Sequence, residues 1–208
     1  MSPSLKLFTL SIVVMFASAA FAQPTLVNFD FGAVPIACGT GYAYEGPGLS
    51  CSYNPVPTQN FNASPDFGWI LGSIVARSDL NVGAGLTGPD TAFDPPTFNG
   101  LPFNQAVLLQ SIGSFVWQAV GGFTAGSYTL SFYLGSRYTD GPFDGNQTVV
   151  ALIDGNMIGT WALSSYTPFT LETATFTVTT NGSHTLEFMG TKPGDHTAFL
   201  SYVVITSD

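Results

Sequence analysis

The feature that most constrains this chain is a period of two. In residues 127–135, Tyr128, Leu130, Phe132 and Leu134 alternate with Thr129, Ser131 and Tyr133. In an extended backbone, successive side chains point to opposite faces, so this spacing makes one apolar row and one polar row. The same reading gives strands at 147–154 and 157–163, joined by turn residues Asp154-Gly155-Asn156, and at 198–206. It also gives strands at 169–179 and 183–190, taken as a pair joined at Asn181-Gly182. Earlier strands are expected at 25–31, 67–76, 105–110 and 114–120, and no sustained helical stripe follows residue 22. Many short strands separated by turns point to an all-β sandwich or barrel, and export of one compact unit favours the β-sandwich. Residues 32–64 and 80–104 are rich in Gly, Pro and Asn without a period, and are read as long loops.

The N-terminus reads as an export signal. Lys6 precedes an apolar run over residues 7–16, and small residues end at Ala20-Phe21-Ala22. Charge, apolar stretch and A-x-A order in sequence define a cleavable signal peptide over 1–22. The run is short for a membrane span, which needs about 20 apolar residues. Residues 23–208 then form a single domain, secreted to the extracellular space or periplasm, with no membrane span after cleavage. Cys38 and Cys51 are expected to pair there, closing a short loop worth about 3 kcal/mol by loop entropy.

Charge excludes one class of partner. Thirteen acids face four Lys and Arg, and only Arg77, Arg137 and Lys192 follow the signal. Nucleic-acid binding is not expected, because the cations that neutralise phosphate are missing. The catalytic motifs sought are missing as well: no G-x-S-x-G, no H-E-x-x-H and no phosphate-cradling Gly-Lys-Ser/Thr loop. Nothing in the spacing of the acids singles out a hydrolytic pair. The reading is a chain that is not an enzyme, with no cofactor.

The segment after the best strand carries the candidate site. Arg137, Tyr138, Asp140, Phe143, Asp144 and Asn146 bring together guanidinium, carboxylate, amide and ring, the groups that bind sugar hydroxyls and stack on sugar faces. Asp195 and His196 lie in a second loop read the same way. Local turn chemistry explains Asp140 and Asp144 as well. His184 is read as a surface or edge residue, Trp69 as core, and Trp117 and Trp161 as open. The sequons at Asn62, Asn146 and Asn181 matter only in a glycosylating host.

The order of motifs resembles the secreted galactose-binding-like β-sandwich modules, including the domain family of unknown function 642 and bacterial carbohydrate-binding-type domains. Residues 28–31 (NFDF), 67–69 (FGW), 104–110 (NQAVLLQ), 126–132 with Arg137, 182–188 (GSHTLEF) and 195–200 (DHTAFL) carry the resemblance. It implies a galactose-binding-like jelly roll that takes an extracellular or cell-wall glycan. A structural matrix or surface protein-interaction domain is the alternative. The acids that commonly hold a structural calcium in relatives stand here as Gly32 and Ser201. No metal site is therefore assigned, and the oligomeric state is left open.

Overall fold

The computed structural model describes residues 23–46, 48–51, 57–74, 83–139, 141 and 143–208. The segment 1–22 that the sequence reading takes as an export signal, Arg77 and Asp140 lie outside them. Among the described residues, thirteen strands form two sheets. The larger sheet runs β11 (Thr170–Val178), β7 (Gly126–Ser136), β13 (Asp195–Ser207), β5 (Ala106–Gln110), β4 (Gly83–Thr87), β1 (Tyr42–Glu45) and β2 (Thr58–Gln59). The short β8 (Phe143–Asp144) pairs with the start of β13 in parallel. The smaller sheet runs β10 (Asn156–Ala162), β9 (Thr148–Ile153), β12 (Gly182–Gly190), β6 (Ser114–Phe123) and β3 (Ile70–Ser73). This is an all-β jelly-roll sandwich, the fold class that the alternating strands lead to.

The strand with the clearest period behaves as read. Tyr128, Leu130, Phe132 and Leu134 are buried between the sheets, where Phe132 meets Phe188 edge-on at 4.9 Å. Trp69 is in this core, and Trp161 packs against its rim. The Asp154-Gly155 turn joins β9 to β10 with both residues at positive φ, the geometry that suits a two-residue hairpin.

Two readings fail. Strands 169–179 and 183–190 are not a hairpin: β11 pairs with β7, whereas β12 pairs with β6 and β9. The Asn181-Gly182 turn carries the chain from one sheet to the other, because each strand buries its apolar row against the opposite layer. Residues 25–31 form no strand beyond an isolated bridge from Thr25 to Gly121. Positive φ at Asn28 and Phe31 breaks the extended run. Side chains hold its backbone instead. Gln118 exchanges bonds with Val27 N–H and C=O at 2.8 and 2.9 Å, and Trp69 Nε1 donates to Asn28 C=O at 3.0 Å.

The two long loops contain structure that the sequence reading omits: β1 and β2 in the first, β4 in the second. Residues 88–105 fold back as a strap across the outer face of the larger sheet. Phe93, Phe98 and Phe103 pack there on Tyr42, Tyr44, Leu108 and Phe199. Strands β4 and β5 are consequently buried on both faces, like strands in the middle of a three-layer structure. Cys38 and Cys51 form the expected disulfide, with Cα atoms 5.1 Å apart. Among the described residues, no helix is long and apolar enough to cross a membrane.

Candidate functional site

The end of β7 delivers Arg137 to the outer face of the larger sheet. There β13 brings Asp195, β5 brings Gln110 and β1 brings Tyr44. Arg137 Nη1 donates to Asp195 Oδ1 at 3.2 Å, and Nη2 donates to Ala92 C=O in the strap at 3.0 Å. The guanidinium also lies 5.1 Å from the centre of the Phe93 ring. The Gln110 amide donates to Asp195, and its carbonyl accepts from the Tyr44 hydroxyl. Arg137 is thus a latch between a buried carboxylate and the strap. Burial pushes the Asp195 carboxyl up, against the opposing pull of Gln110, Arg137 and His196. Arg137 Nε and Thr197 Oγ1 are buried here without a hydrogen-bond partner.

Next to this chain lies a second pair. Asp144 in β8 is directly opposite His196 in β13, and its carboxylate binds His196 Nδ1. It also accepts from the Asn146 backbone N–H at 2.9 Å and side-chain amide at 2.7 Å. Burial alone would raise the Asp144 carboxyl, but the bonds from His196 and Asn146 outweigh it and hold it below the usual range. The structure therefore brings Arg137, Asp195, Asp144, Asn146 and His196 together, bonded chiefly to one another.

Tyr138 and Phe143 reach outward. Phe143 is exposed. Tyr138 is half-buried, with its ring 5.7 Å from that of Tyr166 and its N–H donating to Asp94 C=O at 2.9 Å. Tyr138 also lines a recess of about 270 Å³, together with Pro89, Asp90, Pro95, Pro96 and Asn99 among others from the strap. The sequence reading missed these residues, along with Tyr44, Gln110 and Phe93. A polar side chain ending the apolar run Ala106-Val107-Leu108-Leu109-Gln110 was the available signal for Gln110.

Two further surfaces bear on the reading. Trp117 lies half-buried on the outer face of the smaller sheet with Phe115, Thr185 and Glu187, lining a hollow of about 330 Å³. His184, expected at the surface, is 7% exposed. Its Nδ1 meets Asp154 Oδ2 at 2.5 Å and its Nε2 meets Thr180 C=O at 3.0 Å. The pair closes one end of a cleft of about 500 Å³ between β10 and β11.

The residues present do not fit the structural calcium that the resemblance brings to mind. Gly32 offers no side-chain ligand. Ser201 is fully buried, and its hydroxyl donates to Gln105 C=O at 2.8 Å. The Gln105 amide donates to Phe31 C=O at 2.6 Å and Val34 C=O at 3.0 Å. Hydrogen-bond donors occupy the carbonyls that a cation would need as ligands. Among the described residues, no group of three His, Cys, Asp or Glu is placed to hold a metal ion.

With this geometry in hand, comparison with known proteins extends the fold assignment. No family model matches the chain, and no curated protein matches its sequence. Solved structures do match. The apo form of a cyclase from Fischerella sp. superposes with a TM-score of 0.60 at 14% identity, over 91% of this chain and 98% of that one. A cyclase from Fischerella sp. TAU in complex with 4-(1H-indol-3-yl)butan-2-one gives 0.56 at 15% identity, over 89% and 97%. TmCBM61 in complex with β-1,4-galactotriose gives 0.46 at 14% identity, over 70% and 90%. At these identities the two cyclase superpositions establish the fold and nothing beyond it. That fold overturns the expectation of a chain that is not an enzyme. Cyclases are built on this jelly roll over nearly its full length, so missing hydrolase and phosphate-loop motifs do not mark it as a non-catalytic scaffold.

Proposed function

We propose that this protein is an exported glycan-binding domain of the galactose-binding-like class, akin to the domain family of unknown function 642, acting in the extracellular space or periplasm. Tyr138 carries the reading: it lines a recess of about 270 Å³, and its ring lies 5.7 Å from that of the half-exposed Tyr166. Aromatic faces stack on the apolar face of a sugar ring, while exposed Asp90 and Asn99 at the recess supply hydroxyl partners. A recess of this size suits one ring of a chain that continues over the surface toward Phe143. Arg137, Asp144, Asp195 and His196 then act as the frame that holds the strap and β8 in place, with their polar groups turned largely inward.

The test is co-sedimentation of the protein with insoluble plant, fungal and bacterial polysaccharides. Tyr138→Ala should weaken binding about tenfold, the loss of one well-packed aromatic contact. Trp117→Ala is the discriminating variant. Binding lost there and kept in Tyr138→Ala moves the site to the smaller sheet, and silence on every polysaccharide sinks the reading. Scoring the same incubations for released reducing ends measures turnover alongside binding.

A further inference from the structure

Asparagine followed by glycine occurs twice in this chain, at Asn99-Gly100 and Asn181-Gly182. Glycine has no side chain to shield its amide nitrogen, so that nitrogen can reach the side-chain carbonyl carbon of the asparagine before it. The two pairs stand in different surroundings. Asn181 Oδ1 accepts from Ala125 N–H at 2.8 Å, Thr180 C=O meets His184 Nε2 at 3.0 Å, and Gly182 is paired with Phe123 in the sheet. Asn99 and Gly100 form an exposed corner of the strap instead. Leu101 N–H donates to Phe98 C=O at 3.1 Å across them, and Gly100 takes a φ of +79°, the geometry of a turn that favours glycine in third place. Asn99 is tied through its own N–H, which donates to Thr97 Oγ1 at 3.2 Å. Among the described residues, Asn99 C=O, Gly100 N–H and the Asn99 side-chain amide bond no protein group. Around Gly100 there is open space, where an added Cβ would meet nothing within 4 Å. Asn99 also lines the recess of about 270 Å³ with Tyr138 and Asp90.

We propose that Asn99-Gly100 is a self-modifying turn, at which the chain deamidates without an enzyme and an amide of the recess becomes a carboxylate. Gly100 N forms a bond to Asn99 Cγ while the Cγ–Nδ2 bond breaks. The side-chain nitrogen leaves as ammonia, with the proton that Gly100 gives up. Water then opens the five-membered imide at either carbonyl and leaves aspartate or isoaspartate at position 99; nothing is oxidised or reduced. Asn181 is protected by contrast. Its bond to Ala125 must break before its side chain can turn to Gly182, and losing one hydrogen bond slows the step about tenfold. An asparagine amide both donates and accepts, whereas a carboxylate only accepts and adds a charge to a recess that Asp90 already lines. The consequence for a sugar rests on the glycan-binding reading; the chemistry of the turn does not.

The test holds the native protein in mildly alkaline buffer and follows it by anion exchange and by peptic peptide mapping in acid. A more acidic species is expected to accumulate, with conversion at residue 99 about tenfold faster than at residue 181. Asn99→Gln, whose longer side chain must close a six-membered ring, should lose that species while its circular dichroism stays native. An amide that persists at residue 99, or conversion at residue 181 that is as fast, overturns the proposal. Retention of Asn99→Asp on polysaccharides reads the consequence separately, and weaker retention than wild type is expected. Equal retention overturns the effect on binding, whereas a wild type that binds no polysaccharide fails the glycan-binding reading and leaves the peptide map to decide the modification site.

Discussion

Both histidines of this chain bind an aspartate through Nδ1, yet the two pairs do different work. Asp154–His184 stands alone at the end of the cleft between the sheets. Both ring nitrogens face acceptors, the Asp154 carboxylate and Thr180 C=O, an arrangement only the imidazolium satisfies in full. Its bond to Asp154 raises the His184 pKa, and the same bond lowers that of Asp154. Asp144–His196 sits instead beside Asp195 and Arg137, in a cluster that joins β8, β13, β5 and the strap. The first pair is a local clip between a turn and a strand. The second belongs to a network whose arginine holds down an aromatic loop.

The sharpest break of this contrast is Arg137→Ala. Arg137 and Asp195 side chains are 12% and 9% exposed, so the variant strands a buried carboxylate and frees the strap from the sheet. Urea unfolding should show a loss of about 3 kcal/mol. If the stranded charge causes the loss, Arg137→Ala with Asp195→Asn should recover part of it. An additive double variant would refute the pairing argument.

Removing the local clip should cost less. Asp154 is 46% exposed, so solvent screens the pair, and His184→Asn should lose about 1 kcal/mol. The gap between the two losses measures how far a clip differs from a network. Equal losses would erase the distinction.

pH gives the smallest and most specific signal. His184 is raised, so its contribution is full below about pH 6.5 and is lost as pH rises through the higher folded value. Asp154 is lowered, so its contribution is present above about pH 3.9 and is lost as pH falls through the folded value. The clip is therefore strongest between these limits. Asp195 runs the other way: burial raises it, and its contribution fades as pH climbs from about 3.9 through its folded value. Tm profiles should show a flatter alkaline limb in His184→Asn and a more steeply rising acid limb in Asp195→Asn. Profiles parallel to wild type would remove both assignments.

The legible parts of the fold were those in which one face of a strand is wet. β7 shows its alternation openly because Thr129, Ser131 and Tyr133 lie outside the inter-sheet core. β4 and β1 did not announce themselves, because both of their faces are covered and neither sequence alternates. The pairing of Asn181-Gly182 with a hairpin failed for a related reason. A turn dipeptide marks a reversal of the chain but is silent about which layer each strand joins. At the site, the clustering of Arg137, Asp144 and Asn146 was visible as nearness in sequence. Their bonds to Asp195 and His196 depend on β8 lying along β13, a contact that local sequence does not encode.

The sequence alone determined the all-β class, the inward row of β7 and the pairing of Cys38 with Cys51, because period acts locally and a chain with two cysteines has one internal pairing open to it. Tertiary structure decided that residues 88–105 form a third layer and that Arg137 turns inward to hold it. Those outcomes rest on long-range partners. Phe93 becomes core only when Tyr42 and Tyr44 arrive from β1, and Arg137 finds Asp195 only when β13 is laid beside β7.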